Sequence, residues 1–210
     1  KLAEERGSFP NFGVSIFSKP IRNASLTTVA PTGSISVLAN CSSGLEPNFG
    51  IIYIKENILE GRSFVEINPV FEAVSKREGF YSQELINKII ANDGRVTGLK
   101  EVPEKWQNIF VTALEITPDE HLKIQAAFQK HLTASLSKTV NLPSDSTIED
   151  VYNIILKAYD LNVKGLTVYR NESRTKQVLR SKNICPLCGK NLIYSEGCIK
   201  CICGWSKCDI

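Results

Sequence analysis

The chain carries the stretch SKTVNLPSDSTIEDVYNIILKAYDLNVKGLTVYR at Ser137–Arg170. Its first segment, Ser137–Asn141, has the β-branched residues of a strand and ends before Pro143. Its last segment, Leu166–Tyr169, is a second strand that starts after a glycine. A helix-length segment separates the two, and a strand, a helix and a strand joined by short loops predict a parallel pair with a right-handed crossover. The fold class is therefore predicted to be α/β.

The segment between these strands has helix signals at its start and along one face. Ser146 and Glu149 have the spacing of a capping box, in which each side chain accepts from the backbone N–H of the other residue. The predicted buried face consists of Ile148, Val151, Ile155 and Ala158.

Further helices are predicted upstream from residues that commonly start helices, namely Asn68 with Pro69, Ser82, Pro103, and Thr117 with Glu120. For the helix after Thr117, the apolar pattern predicts an inner face made of Ile124, Ala127, Phe128, His131 and Leu132. On this pattern His131 is a core residue and His121 is exposed, so neither histidine is a candidate catalytic group.

The composition is that of an ordinary globular protein, since 42% of the 210 residues are hydrophobic and 22% are charged. The net charge of +3 is too small to predict a nucleic-acid partner. No apolar run approaches the roughly 20 residues of a membrane-spanning helix, so no membrane partner is expected. The chain begins at Lys1 and has no methionine, which favours a piece of a longer protein over the trimming of a first residue.

Six of the seven cysteines lie close together near the end of the chain, and only Cys41 lies elsewhere. A secreted scaffold spreads its cysteines through the fold, so this crowding indicates a metal site, a redox tail or both. A reducing, cytoplasmic location is the corresponding expectation. Four of these cysteines have the spacing C-x2-C-x9-C-x2-C of two knuckles that hold Zn²⁺ with four thiolates, namely Cys185, Cys188, Cys198 and Cys201.

The turn APTGSIS at Ala30–Ser36 follows a segment, Arg22–Ala30, that is predicted to be a strand. Gly33 permits a close approach of the main chain, and the neighbouring hydroxyl residues add donors. Such a turn at the start of a helix binds a phosphate through its N–H groups or serves only as a helix cap. The spacing alone leaves both possibilities open.

Several segments of the chain resemble the large catalytic chain of ribonucleotide reductase, and most closely its adenosylcobalamin-dependent branch, class II. They are EERG with FPN at Glu4–Asn11, APTGSIS at Ala30–Ser36, CSSGLEP at Cys41–Pro47, QAAFQKH at Gln125–His131, SKTVNLP at Ser137–Pro143 and KGLTVYR at Lys164–Arg170. The resemblance covers Leu2–Gln177 and implies the C-terminal part of that chain. It implies a ribonucleotide substrate, adenosylcobalamin as cofactor, and conversion of ribonucleotides to deoxyribonucleotides by radical chemistry.

The resemblance also implies a ten-stranded α/β barrel, of which this chain would supply the C-terminal portion. In the family, the Pro-Thr-Gly-Ser-Ile loop holds the substrate's phosphates through main-chain amides. The implied binding residues are Pro31, Thr32, Gly33, Ser34, Ile35 and Ser36. Class I chains place two adjacent tyrosines where this sequence has Thr167 and Val168, which favours class II.

The family's radical-bearing cysteine, in its Asn-Pro-Cys-Gly-Glu segment, has no counterpart in this sequence. Cys41 lies in a different motif and is predicted to be a buried structural cysteine. The resemblance therefore implies a part of the enzyme that is inactive by itself and needs an upstream reductase half as partner. That half would bind most of the adenosylcobalamin.

The tail also resembles that of class II reductases, through CPLCG, EGC and GWSKC. In the family, a C-terminal cysteine pair reduces the active-site disulfide and is recharged by thioredoxin or glutaredoxin, which implies Cys203 and Cys208 as the redox pair. Family members often have one more residue between the cysteines that correspond to Cys201 and Cys203. Cys203 is therefore an alternative to Cys198 as the fourth zinc ligand, and the choice stays open.

The sequence thus divides into residues 1–170, a C-terminal portion of the reductase barrel, residues 171–184, a flexible basic linker, and residues 185–210, a zinc-ribbon-like cysteine module. Two other functions fit parts of the chain. A ribbon beside a basic linker is compatible with a nucleic-acid-binding or interaction module. Nucleic acid is not the expected partner, because residues 1–170 would then be unexplained. A non-functional gene remnant is the remaining alternative.

Overall fold

Helices and strands alternate along the part of the chain that the computed structural model describes, which is residues 1–39, 41–58, 62–173, 179–180, 185, 187–188, 190, 192–195 and 198–208. The helices are α1 Leu2–Arg6, a 3-10 turn at Phe12–Val14, α2 Gly33–Leu38, α3 Pro69–Arg77, α4 Gln83–Ala91, α5 Glu104–Gln107, α6 Pro118–Gln129 and α7 Ile148–Asp160. The strands are β1 Ile52–Ile58, β2 Arg62–Ile67, β3 Thr139–Leu142, β4 Thr167–Arg170, β5 Leu179–Arg180, β6 Leu192–Ser195, β7 Cys198–Cys201 and β8 Ser206–Cys208.

The predicted caps start the helices in the middle of the chain. The Asn68 side chain accepts hydrogen bonds from the N–H groups of Val70 and Phe71, and Pro69 occupies the first helical position of α3. The Ser82 hydroxyl accepts from the N–H of Leu85 in α4. These predictions are confirmed, because a cap depends on residues within one helical turn.

A hydrophobic core forms where α3 and α4 pack against the start of β1. Its fully buried members include Ile51, Phe71, Leu85, Ile89 and Val96. The ring of Phe71 makes edge-to-face contacts with Phe110 at 5.2 Å and with Phe80 at 6.2 Å between centroids. Gly94 lies next to Ile52 and has a backbone φ of +75°. A Cβ at this position would lie 2.5 Å from the carbonyl oxygen of Ile52. Only glycine fits that position without a backbone shift.

Replacing Phe71 by alanine is expected to lower the free energy of unfolding by about 3–5 kcal/mol, because a fully buried aromatic ring leaves a cavity behind. Urea titration of the Phe71→Ala variant measures this loss. The neighbouring residue Val70 is 61% exposed, so Val70→Ala is the matched control, expected to change stability by less than about 1 kcal/mol. Equal losses in the two variants would contradict the assignment of Phe71 to the core.

Three small sheets are present in the described residues. One has the order β2-β1-β5, a second joins β3 to β4, and a third has the order β6-β7-β8. The predicted strands around β3 and β4 are thus confirmed within a few residues. Residues 22–30, predicted as a strand, form none, although the carbonyls of Thr27 and Val29 accept from the N–H groups of Ala134 and Ser137.

The inner face of α6 differs from the apolar face predicted for it. Ile124 and Phe128 are half exposed, and the buried residues are His121, Leu122, Gln125, Ala126 and Gln129. The polar members are buried because they find partners: the Gln125 amide donates to the carbonyl of Gly165 at 2.6 Å, and the Gln129 amide to that of Ala134 at 2.9 Å.

Both histidine predictions were wrong. His121 is 2% exposed, and its Nδ1 lies 2.8 Å from the Nζ of the buried Lys138. His131 lies just beyond the end of α6 and is exposed. A hydrogen-bond partner 17 residues away thus decides which histidine is buried, and hydropathy does not report it.

The start and the buried face of α7 also differ from prediction. Thr147 and Asp150 form the capping box, one residue later than expected. Ile154 and Ala158 are buried, whereas Ile148 is 90% and Ile155 51% exposed. Because α7 carries apolar residues on two of its faces, the pattern alone did not identify the buried one.

The chain forms two compact units. One comprises residues 1–45, 118–140 and 146–169, and the other residues 46–117, 141–145 and 170–210. Most of the predicted linker, residues 174–178 and 181–184, lies outside the described residues, and Leu179–Arg180 pairs with β1. Across the described ranges, no helix is both long and apolar enough to span a bilayer.

Candidate functional site

The turn predicted to bind phosphate leads directly into α2. Thr32 has φ +54°, a left-handed conformation that is costly for a β-branched residue. Its carbonyl accepts from the N–H of Ser36 at 2.9 Å, which forms the first helical bond. The N–H groups that begin a helix have no partner within it, and in α2 these are the N–H groups of Gly33, Ser34 and Ile35.

The residues of this turn differ in accessibility. Pro31, Gly33, Ser34 and Ile35 are exposed, and Ile35 keeps 62% of its surface accessible. Ser36 is buried, and its hydroxyl donates to the carbonyl of Gly33 at 2.8 Å. The exposed residues are therefore available to a ligand, whereas the Ser36 hydroxyl stabilises the turn.

Four cysteines of the tail form a cluster. The sulfur atoms of Cys185, Cys188, Cys201 and Cys203 all lie within 4.8 Å of one another. The Cys185–Cys203 and Cys188–Cys201 sulfur distances are 3.6 and 3.4 Å. Four thiolates around Zn²⁺ at about 2.3 Å would be separated by about 3.8 Å, so this cluster fits a tetrahedral zinc site.

Cys203 occupies the position in this cluster that was predicted for Cys198. Cys198 and Cys201 are the two ends of β7, three residues apart on a strand, so they point to opposite faces about 10 Å apart. After β7 the chain turns at Gly204, whose N–H donates to the carbonyl of Cys201 at 3.0 Å. The turn brings Cys203 beside Cys201, and the alternative left open by the sequence is the one that the geometry favours.

Cys198 takes part in a disulfide bond instead. The free cysteines among the described residues are Cys41 and the four members of the cluster. In the antiparallel pairing of β7 with β8, Cys198 lies opposite Cys208, for which the structure describes the backbone alone. Cross-strand neighbours in this register have a separation compatible with a disulfide. Cys203 is free in the structure, and its role as redox partner of Cys208 stays a prediction.

The thiols of the cluster differ in acidity. Burial acts to raise the pKa of Cys185, but hydrogen bonds from the N–H groups of Leu187 and Cys188 and from neighbouring thiols lower it to about 7. A backbone hydrogen bond at Cys203 lowers the pKa of Cys201, but burial and the other thiols raise it to about 12. A metal ion binds the thiolate form, so metal binding at this cluster would release protons from thiols such as Cys201.

Two features of the site were not anticipated. Cys41, predicted to be buried, is exposed, and its N–H donates to the carbonyl of Ser36 at 3.0 Å. The N–H of Gly44 donates to the Thr32 hydroxyl at 3.0 Å, which ties the turn to the following loop. The glycine at position 44 was the sequence signal for this loop conformation, since a backbone φ of +51° favours glycine.

Comparisons with known proteins identify the family of this chain. The family model for the ribonucleotide reductase barrel domain matches residues 1–169. The vitamin B12-dependent ribonucleoside-diphosphate reductase of Mycobacterium tuberculosis is 45% identical over 201 residues, which is 94% of this chain and 29% of that protein. The reductase of the same name from Thermoplasma acidophilum is 44% identical over 85% of this chain and 23% of its own length.

A solved structure of a ribonucleotide reductase subunit is also similar to this chain. The class Id ribonucleotide reductase alpha subunit of Actinobacillus ureae superposes with a TM-score of 0.63 at 25% sequence identity, over 81% of this chain and 30% of that one. This confirms the α/β fold class. The chain spans less than a third of the length of these relatives. Because the family model covers most of the sequence, the chain belongs to the ribonucleotide reductase barrel-domain family.

Proposed function

We propose that this chain acts as the C-terminal portion of a vitamin B12-dependent ribonucleoside-diphosphate reductase. Its 45% identity to the Mycobacterium tuberculosis reductase over 94% of the chain carries the proposal. In this proposal an upstream portion completes a ten-stranded barrel and supplies the radical cysteine. The chain divides as the sequence indicates, into a barrel portion at 1–170, a linker at 171–184 and a cysteine module at 185–210.

The turn Pro31–Ser36 binds the diphosphate of the substrate. Support comes from its position at the start of α2 and from the exposure of Gly33, Ser34 and Ile35. Main-chain N–H groups and the Ser34 hydroxyl are the donors. The Ser36 hydroxyl is a structural contact, because it is buried and donates to the carbonyl of Gly33.

The tail holds Zn²⁺ in the cluster Cys185, Cys188, Cys201 and Cys203. The sulfur separations fit this metal, and a structural zinc ion stabilises a small module with little core of its own. Cys198 and Cys208 form the redox pair. They lie opposite each other in the antiparallel pair of β7 and β8, while Cys203 belongs to the four-cysteine cluster.

The redox pair transfers two electrons by thiol–disulfide exchange. One tail thiolate attacks a disulfide left in the upstream portion after substrate reduction, and a mixed disulfide forms. The second tail thiolate then breaks that bond, so the upstream dithiol is regenerated and the tail is oxidised. A dithiol protein of the thioredoxin or glutaredoxin class reduces the tail again.

Adenosylcobalamin, when bound, supplies the radical that begins the reduction. Its binding to this enzyme rests on the relatives, which are named as vitamin B12-dependent. No residue of this chain is assigned to the cofactor, and its site is proposed for the upstream portion. This chain's own residues bind the substrate phosphates and deliver reducing equivalents.

The proposal is tested by combining the chain with the upstream portion of the Mycobacterium tuberculosis relative, the part that lies before the matched segment. Neither part alone is expected to form deoxyribonucleotide, and the mixture is expected to form it only with adenosylcobalamin and a dithiol. Product from this chain alone would contradict the proposal. A single polypeptide that joins the two parts, called the fused reductase below, removes the need for assembly.

A further inference from the structure

Two hydrogen bonds and one close approach link residues 30–36 to the loop Cys41–Gly44. The N–H of Gly44 donates to the Thr32 hydroxyl at 3.0 Å. The N–H of Cys41 donates to the carbonyl of Ser36 at 3.0 Å. Gly44 also lies so close to the turn that a Cβ on it would be 3.2 Å from the carbonyl oxygen of Ala30. The loop therefore acts as a brace along one side of the turn.

The conformation of Thr32 depends on this brace. A threonine at φ +54° is unfavourable because its branched side chain crowds the backbone, so tertiary contacts must hold it there. The Thr32 hydroxyl accepts a hydrogen bond from the N–H of Gly44. That conformation in turn sets the direction of the N–H groups at Gly33 and Ser34, which follow directly in the chain.

We propose that Thr32 is a positioning residue, which acts on phosphate binding through its hydrogen bond to Gly44 and not through contact with the phosphate. The inference rests on the proposed phosphate-binding function of this turn. It adds Gly44, which lies outside the phosphate loop itself, to the residues that determine substrate affinity. The ligand is the diphosphate group of the substrate, for which inorganic pyrophosphate is the probe.

The test is an NMR titration of the 210-residue chain with pyrophosphate, together with amide hydrogen exchange at Gly44. Thr32→Val keeps the shape of the side chain and removes the acceptor. It is expected to raise the Gly44 exchange rate and to weaken pyrophosphate binding by up to about tenfold, the effect of one neutral hydrogen bond. Thr32→Ser keeps the hydroxyl and is expected to restore both values.

Gly44→Ala tests the brace from the opposite side, because it leaves the Thr32 hydroxyl in place. Its Cβ presses on the carbonyl of Ala30 at a backbone conformation that alanine rarely adopts, so pyrophosphate binding is expected to weaken several-fold. Ser42→Ala, in the same exposed loop, is the control and is expected to bind pyrophosphate like the wild type.

Two outcomes would overturn the inference. One is weaker pyrophosphate binding by Thr32→Val with Gly44 exchange unchanged, which would make Thr32 a direct ligand. The other is normal binding by Gly44→Ala. If pyrophosphate shifts no amide resonance between Gly33 and Ser36 in the wild-type chain, the proposed phosphate site itself is wrong. This result is distinguishable from the first two because it is obtained without any variant.

Discussion

Changing Cys198 to serine in the fused reductase will stop repeated turnover with a thioredoxin-type protein while leaving the first turnover intact. The first turnover uses reducing equivalents already stored in the upstream portion. Under the proposed function every later turnover needs the tail, in which Cys198 and Cys208 lie opposite each other in the strand register. Cys208→Ser is expected to give the same result.

The expected loss in steady-state rate is about a hundredfold. A tethered thiol pair is present at an effective concentration of about 1 mM, whereas a protein reductant that acts without the tail is present at only about 10 μM. A small dithiol at millimolar concentration bypasses the tail, so dithiothreitol should restore most of the rate. Product formation over the first and later turnovers, measured by rapid quench, separates the two phases.

The matched control for this prediction is Cys41→Ser. Cys41 is also an exposed free cysteine in the described part of the chain, but it lies outside the tail module. Its variant is expected to turn over repeatedly with the protein reductant. Normal turnover by Cys198→Ser would contradict the assignment and favour a pair that includes Cys203.

Replacing Cys203 by serine is expected to release zinc from the tail, whereas replacing Cys198 is expected to retain it. Cys203 contributes one of the four clustered sulfurs, and Cys198 contributes none. Loss of an outer-shell partner alone costs roughly 10- to 100-fold in metal affinity, so loss of a ligand should cost more than about a hundredfold. The chain is expected to bind one zinc ion, which competition with a chromophoric chelator measures.

The opposite result has a clear meaning. If Cys198→Ser lost zinc and Cys203→Ser kept it, the metal would use the C-x2-C-x9-C-x2-C set predicted from the sequence. The strand β7 would then have to open, because Cys198 and Cys201 lie on its opposite faces. The two variants therefore test the metal site and the redox pair together.

The features that the sequence predicted correctly are local. Asn68 and Ser82 bond N–H groups within one helical turn, so their caps are encoded in three or four consecutive residues. The order of strand, helix and strand at β3, α7 and β4 was evident from the residue pattern of each segment, although the capping box of α7 was not. The turn before α2 was likewise evident from glycine and hydroxyl residues alone.

The features that escaped prediction depend on partners distant in the sequence. Gln125 is buried on α6 because the carbonyl of Gly165 accepts its amide, and that partner is 40 residues away. The choice between Cys198 and Cys203 depends on where β7 ends and the turn at Gly204 begins. The cysteine spacing allows either residue as the fourth zinc ligand, and the path of the backbone after β7 decides between them.

The most direct test of this account is deoxyribonucleotide formation by the fused reductase, measured from a ribonucleoside diphosphate with dithiothreitol as reductant. The account predicts product that requires adenosylcobalamin and is lost when this chain's segment is removed. A fused protein that folds and binds adenosylcobalamin, but forms no deoxyribonucleotide in a single turnover, would contradict the claim that this chain supplies the C-terminal portion of a working reductase.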